Sequence, residues 1–156
     1  ALRAVSSLEW EDSLELWGEP RARHLTMGID MAVWSLDHVP VEGSDWPILI
    51  GIQSKEVEWN IAALKFEAPE GEPWLVNSVE PKLLSRDHEI FLDTINSNSR
   101  LFVQVTLSGG SDSLDIHLSG IVDGEPMAAK VPKTIYRNDS TSIPVNSADD
   151  ISQSEE

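Results

Sequence analysis

The chain has 156 residues, 40% of them hydrophobic, with 27 acidic against 11 basic side chains and a formal net charge of −16. That length suits one domain with a sizeable core, and that charge opposes close approach to nucleic-acid phosphates or anionic lipid. The absence of cysteine excludes disulfides, thiolate metal sites and thiol nucleophiles, and no apolar run nears the roughly 18 residues that span a bilayer.

Ser6-Ser-Leu-Glu9 has the form of a capping box, followed by Trp10, Leu14 and Trp17 on one helical face and by Gly18 and Pro20 as stops. This predicts a short helix. Leu8, Trp10, Leu14 and Leu16 also alternate, so a strand broken at Asp12 is the competing reading. From His24 to Leu36, Leu25, Met27, Ile29, Met31 and Val33 alternate with more polar neighbours, which predicts one long strand with one buried face. A loop follows, and Pro47 to Ile52 reads as the next strand. Val57, Trp59, Ile61 and Ala63 alternate until Leu64 and Phe66 take over the phase, so a bulge is expected near Ala62 or Ala63.

Ala68-Pro-Glu-Gly-Glu-Pro is turn chemistry, and Trp74-Leu-Val is expected to return as the partner of the preceding strand. Asp87 is placed to cap a second short helix carrying Phe91, Leu92 and Ile95, ended by Asn96-Ser-Asn-Ser. Residues 100 to 122 alternate on both sides of Gly109-Gly110, with Leu101, Val103, Val105 and Leu107 before and Leu114, Ile116 and Leu118 after. That pattern predicts an antiparallel hairpin with one apolar face, which a lone hairpin cannot keep dry without further layers. Asp123-Gly124 makes a turn, and residues 127 to 136 add a last extended piece. Gly-Glu-Pro recurs at 18, 71 and 124, but the intervening register does not repeat, and the spacing reads as a coincidence of turn residues.

The expectation is therefore a mainly β, antiparallel sandwich-like domain with one or two short helices over residues 1–136. Residues 137–156, dominated by Ser, Asn, Asp and Glu, are expected to form a disordered acidic tail.

Chemistry is sparse along this chain. His24, His38, His88 and His117 show no metal-ligand spacing, and the Asp-His neighbours at 37–38 and 87–88 point in different directions. Ser108, Ser111 and Ser113 near Asp115 and His117 lack a nucleophile motif, and a hairpin turn explains them. No catalytic residue, metal site or cofactor is predicted. Six tryptophans stand in the first half, and Trp34 lies in phase with Asp30 on the polar side of its strand. Asp30, Trp34 and Trp46 are the candidate binding residues, with burial of Trp34 under a loop or second sheet as the alternative.

The segments Gly71-Glu-Pro-Trp74, Lys82-Leu-Leu, Phe91-Leu-Asp-Thr-Ile, Arg100 to Gly110 and Ile116-His-Leu-Ser-Gly-Ile resemble the C-terminal module of TagO/VasI-type accessory proteins of type VI secretion. They are also similar to the invasion-associated locus B family. The resemblance spans residues 70 to 122, about a third of the chain. It implies an extracytoplasmic, noncatalytic accessory role, periplasmic or extracellular, and transfers no functional residue. Together with the charge, it leads to the expectation of a noncatalytic protein-binding adaptor whose acidic surface meets a basic protein partner. The alternative is a carbohydrate-binding module that stacks glycans on exposed tryptophans.

Overall fold

The structure, a computed structural model, describes residues 10–26, 28–37, 44–69, 72–109 and 112–137. A short helix, α1 (Trp10–Leu16), precedes eleven strands: β1 (Ala22–Thr26), β2 (Ile29–Ser35), β3 (Trp46–Ser54), β4 (Trp59–Glu67), β5 (Trp74–Glu80), β6 (Leu84–Arg86), β7 (Glu89–Ile95), β8 (Ser99–Gly109), β9 (Ser113–Val122), β10 (Glu125–Lys130) and β11 (Ile135–Tyr136). They form two antiparallel sheets. Sheet I runs β1-β2-β3-β8-β5, and sheet II runs β10-β9-β4-β7-β6 with β11 added beside β9. This is the expected sandwich.

The core is made by the inward positions of both sheets. Met31, Ile50 and Val103 from sheet I and Leu64, Ile90 and Ile116 from sheet II are all 0% exposed. Trp46 and Trp74 meet in a tilted contact, 5.5 Å between ring centroids and 56° between planes, and Trp74 Nε1 donates to the Ser113 carbonyl at 2.7 Å, so one indole ties the two layers together.

Four sequence expectations are corrected by this topology. The run from His24 to Leu36 is a hairpin, β1-β2, in which Thr26 pairs with Ile29 across a two-residue turn. Such a turn pairs odd residues with even ones, so His24 and Thr26 share a face with Met31 and Ile29, and Leu25 is left 72% exposed. Second, β8 and β9 are neighbours in the chain but belong to different sheets; their apolar faces meet across the core and are not parts of one ladder. For the same reason Trp74-Leu-Val pairs with β8 and not with β4. Fourth, Asp87 does not cap a helix: residues 84–95 form the β6-β7 hairpin, with Asp87 at φ 56° in its turn. The bulge in β4 is present, with register shifts on both sides of Ala62, and α1 takes the helical reading of its segment. The capping box at Ser6 and Glu9 lies outside the described residues.

The tail boundary also shifts. Arg137, expected to begin the tail, is buried at 6% exposure. Its guanidinium donates to Asp37 Oδ2 at 2.7 Å, to Ser44 O and Oγ at 2.8 and 3.0 Å, and to Asp45 O at 2.7 Å, while it lies 5.8 Å from the Trp46 ring centroid. Arg21 Nη1 in turn donates to the Tyr136 carbonyl. These bonds fasten β11 to the start of β3. The remainder of the predicted tail, 138–156, lies outside the described residues.

Candidate functional site

The structure separates the three residues singled out from the sequence. Trp46 is an inward residue of β3, 0% exposed, with Nε1 donating to Ser35 Oγ at 2.9 Å. Trp34 points to the outer side of sheet I as its phase predicts, yet α1 covers it: it is 3% exposed and packs with Trp10, Leu14, Ala32 and Leu49, and its Nε1 donates to the Gly18 carbonyl at 2.9 Å. Neither ring presents a plane to solvent, so the face of exposed tryptophans expected for glycan stacking does not form. Of the six, only Trp17 exceeds 40% exposure, at 43%. Asp30 is held at the rim of this second core, where it accepts from Trp10 Nε1 at 2.9 Å and from Arg23 Nε and Nη2 at 3.1 and 2.7 Å. It borders a surface hollow of about 440 Å³ with Arg23, Leu25, Gln53 and Lys55.

The outer side of sheet II has a different character. Directly opposed residues of an antiparallel sheet share a face, so the register orders that side into rows. At the end near the β6-β7 turn, Glu67 of β4 stands opposite Asp115 of β9. The next row crosses five strands: Arg86, Glu89, Lys65, His117 and Lys130. The third row is Leu84, Phe91, Ala63, Ser119 and Ala128. Beyond it lie Ile121, opposite Pro126, and the exposed bulge residue Ile61.

The first row is the electrostatically distinctive one. Two carboxylates directly opposed across strands repel each other, and each leans on a neighbour for compensation. Asp115 accepts from Thr134 Oγ1 at 2.7 Å and has Lys130 Nζ at 3.6 Å. Glu67 Oε1 lies 3.0 Å from His117 Nε2, near enough for an ion pair though not aligned as a hydrogen bond. Both carboxylates border an open hollow of about 340 Å³, walled by Phe66, Pro69, Pro73 and His88. The hollow is open to solvent, the Glu67 side chain is 47% exposed, and the opening admits a side chain. Among the described residues no group of three or more His, Asp or Glu is placed to hold a metal ion. Sequence reading missed the pair because Glu67 and Asp115 are 48 positions apart, and only the β4-β9 register brings them together.

No protein-family model matches the chain, and no curated protein sequence matches it, so neither supports the TagO/VasI or locus B resemblance. Among solved structures, the chain is similar to a GH20 exo-β-N-acetylglucosaminidase from Vibrio harveyi, at 14% identity and TM-score 0.42, over 67% of this chain and 17% of that one. It is also similar to a FixG-related protein from Vibrio parahaemolyticus, at 10% identity and TM-score 0.38, over 72% of this chain and 99% of that one. A conjugate transposon protein from Bacteroides vulgatus aligns at 13% identity and TM-score 0.33, over 68% of this chain and 83% of that one. The chain thus spans under a fifth of the glycosidase's length.

Proposed function

We propose that the chain is a noncatalytic protein-binding accessory domain, and that the hollow bordered by Glu67 and Asp115 receives a Lys or Arg side chain of a basic protein partner. The opposed carboxylates carry this reading. Their repulsion is relieved by an incoming cation, and the net charge of −16 draws such a partner in at long range. An extracytoplasmic, secretion-associated setting belongs to the same proposal and rests on the resemblance over residues 70–122. Enclosure of Trp34 and Trp46 weighs against the glycan alternative.

The test separates the hollow from diffuse charge. Titration of an octa-lysine peptide into Glu67→Gln/Asp115→Asn is compared with titration into Glu56→Gln/Glu58→Gln, which removes equal charge at the opposite end of the sandwich. The hollow variant is expected to bind about tenfold more weakly than the control variant, a difference that shrinks as salt rises. Equal losses in the two variants would show an unlocalised attraction and overturn the proposal.

A further inference from the structure

The hollow does not stand alone on its face, and the surface that continues from it describes more of the partner. This inference rests on the protein-binding reading above. Moving along β4 from Glu67, the outer side passes the mixed-charge row at Lys65, reaches the row Leu84, Phe91 and Ala63, and ends at Ile61. Leu84 is 75% exposed and Ile61 69%. Leu84 lies two strands away from Ile61, with half-buried Phe91 and buried Ala63 between them, so these residues form a discontinuous apolar patch.

The mixed-charge row holds three fixed cations, Arg86, Lys65 and Lys130, against Glu89, and it balances only together with the carboxylates of the first row, where Lys130 Nζ lies 3.6 Å from Asp115 and His117 Nε2 3.0 Å from Glu67. Over these two rows the fixed charges on the outer side of sheet II cancel, with the carboxylates at one end and the apolar positions toward the other. The molecule shows on its other sheet what covers such a side. There an amphipathic helix, α1, lays Trp10 and Leu14 over Ala32, Trp34, Leu49 and Phe102.

We infer that the outer side of sheet II docks an amphipathic helix of the partner, which carries a Lys or Arg at one end for the Glu67/Asp115 hollow and an apolar stripe that lies over Ala63, Phe91, Leu84 and Ile61. The spacing follows from strand geometry. Four to six residues of β4 separate Glu67 from Ala63 and Ile61, which is about 13 to 20 Å at ~3.3 Å per residue. At 1.5 Å rise per residue, the stripe is centred roughly nine to thirteen positions from the basic residue. A partner helix of about four turns satisfies both contacts.

Two synthetic 18-residue helical peptides test this, each with two arginines at one end and identical net charge. One carries a leucine stripe centred ten positions from the arginines, and in the other glutamine replaces every leucine. The leucine peptide is expected to bind the full chain about tenfold tighter than the glutamine peptide. The gap is expected to close to within about twofold in Ile61→Gln/Leu84→Gln, whose fold is checked by circular dichroism. Equal binding of both peptides, with sensitivity to Glu67→Gln/Asp115→Asn retained, would overturn the helix-docking inference and leave the basic-partner reading standing. Binding of neither would overturn both. Sedimentation velocity run alongside identifies the competing occupant: a dimer that dissociates in Ile61→Gln/Leu84→Gln would assign the surface to a second copy and overturn the inference.

Discussion

The two outer sides of this sandwich solve the same problem differently. On sheet I, Ala32, Gly51 and Phe102 form one cross-strand row and Trp34 and Leu49 part of the next, leaving a shallow seat into which Trp10 fits. A Cβ at Gly51 would stand 2.8 Å from the Phe102 ring and 3.2 Å from that of Trp10, so the missing side chain is what makes the seat deep enough. Two indole N–H groups buried in the process find acceptors, Asp30 for Trp10 and the Gly18 carbonyl for Trp34. On sheet II the corresponding positions carry charges in one row and small or bare apolar groups in the next, and among the described residues no helix lies over them. A sheet built from the same alternation thus becomes either a second core or a presented surface, according to its outward residues alone.

The largest test of this contrast is Trp10→Ala. It empties the seat on sheet I and removes one of the three hydrogen bonds that Asp30 accepts, and an aromatic-to-alanine change in a packed site costs about 3–5 kcal/mol. Leu84→Ala, an equally apolar truncation on the outer side of sheet II, is expected to change stability by less than about 0.5 kcal/mol. Urea midpoints at constant m-value measure both. Similar losses would mean that sheet II is also covered. A smaller effect is expected from Asp30→Ala, which leaves the buried indole N–H of Trp10 without its acceptor, at about 1–3 kcal/mol. Adding Trp10→Ala to Asp30→Ala should then cost less than the sum of the single changes, because the shared bond is lost once. Strict additivity would show that α1 packs by apolar contact alone.

That contrast also explains which parts of the fold could be read in the sequence. Strands β3 and β8 announce their inward residues, Ile48, Ile50, Val103 and Val105, because a period of two is what one dry face requires. Faces are legible in this way; partners are not. Leu107 and Leu114 alternate as smoothly across two sheets as they would within one hairpin, so β8 and β9 could not be told apart from a ladder. The mistaken helix at 87–95 has a local cause. Asp93, at φ 68°, breaks the phase of β7 so that Ile90 and Leu92 are followed inward by Ile95 and not by Thr94, and a three-residue step after a two-residue step imitates helical spacing. Trp34 was placed on the correct side of its strand, but the covering helix comes from eighteen or more residues away, and alternation carries no information about what lies above a face. Arg137 gave no signal at all. The polar run that follows it, Asn138-Asp-Ser-Thr, suits a solvated tail, and only the meeting of β11 with the segment at Asp37, Ser44 and Asp45 makes it a buried clamp.

A small effect of the opposite sign bears most directly on the open side. Ile61 holds φ at 53° while 69% of its surface faces solvent. The bulge that imposes this conformation has a clear structural use: by spending one extra residue it turns both Trp59 and Ala62 inward, and Gly120 of β9 lies opposite, where a Cβ would meet the Trp59 ring at 2.9 Å. The conformation is therefore required, but isoleucine is a poor residue for it, since a β-branched side chain resists the left-handed region by roughly 1–2 kcal/mol. Asparagine tolerates that region, and little burial is lost on replacement. Ile61→Asn is accordingly expected to raise stability by about 0.5–1 kcal/mol while weakening the leucine-stripe peptide described above. A stability gain with unchanged peptide affinity would show that the side chain is dispensable for docking. A loss of stability would show instead that Ile61 is packed against something, and that the outer side of sheet II is closed as sheet I is.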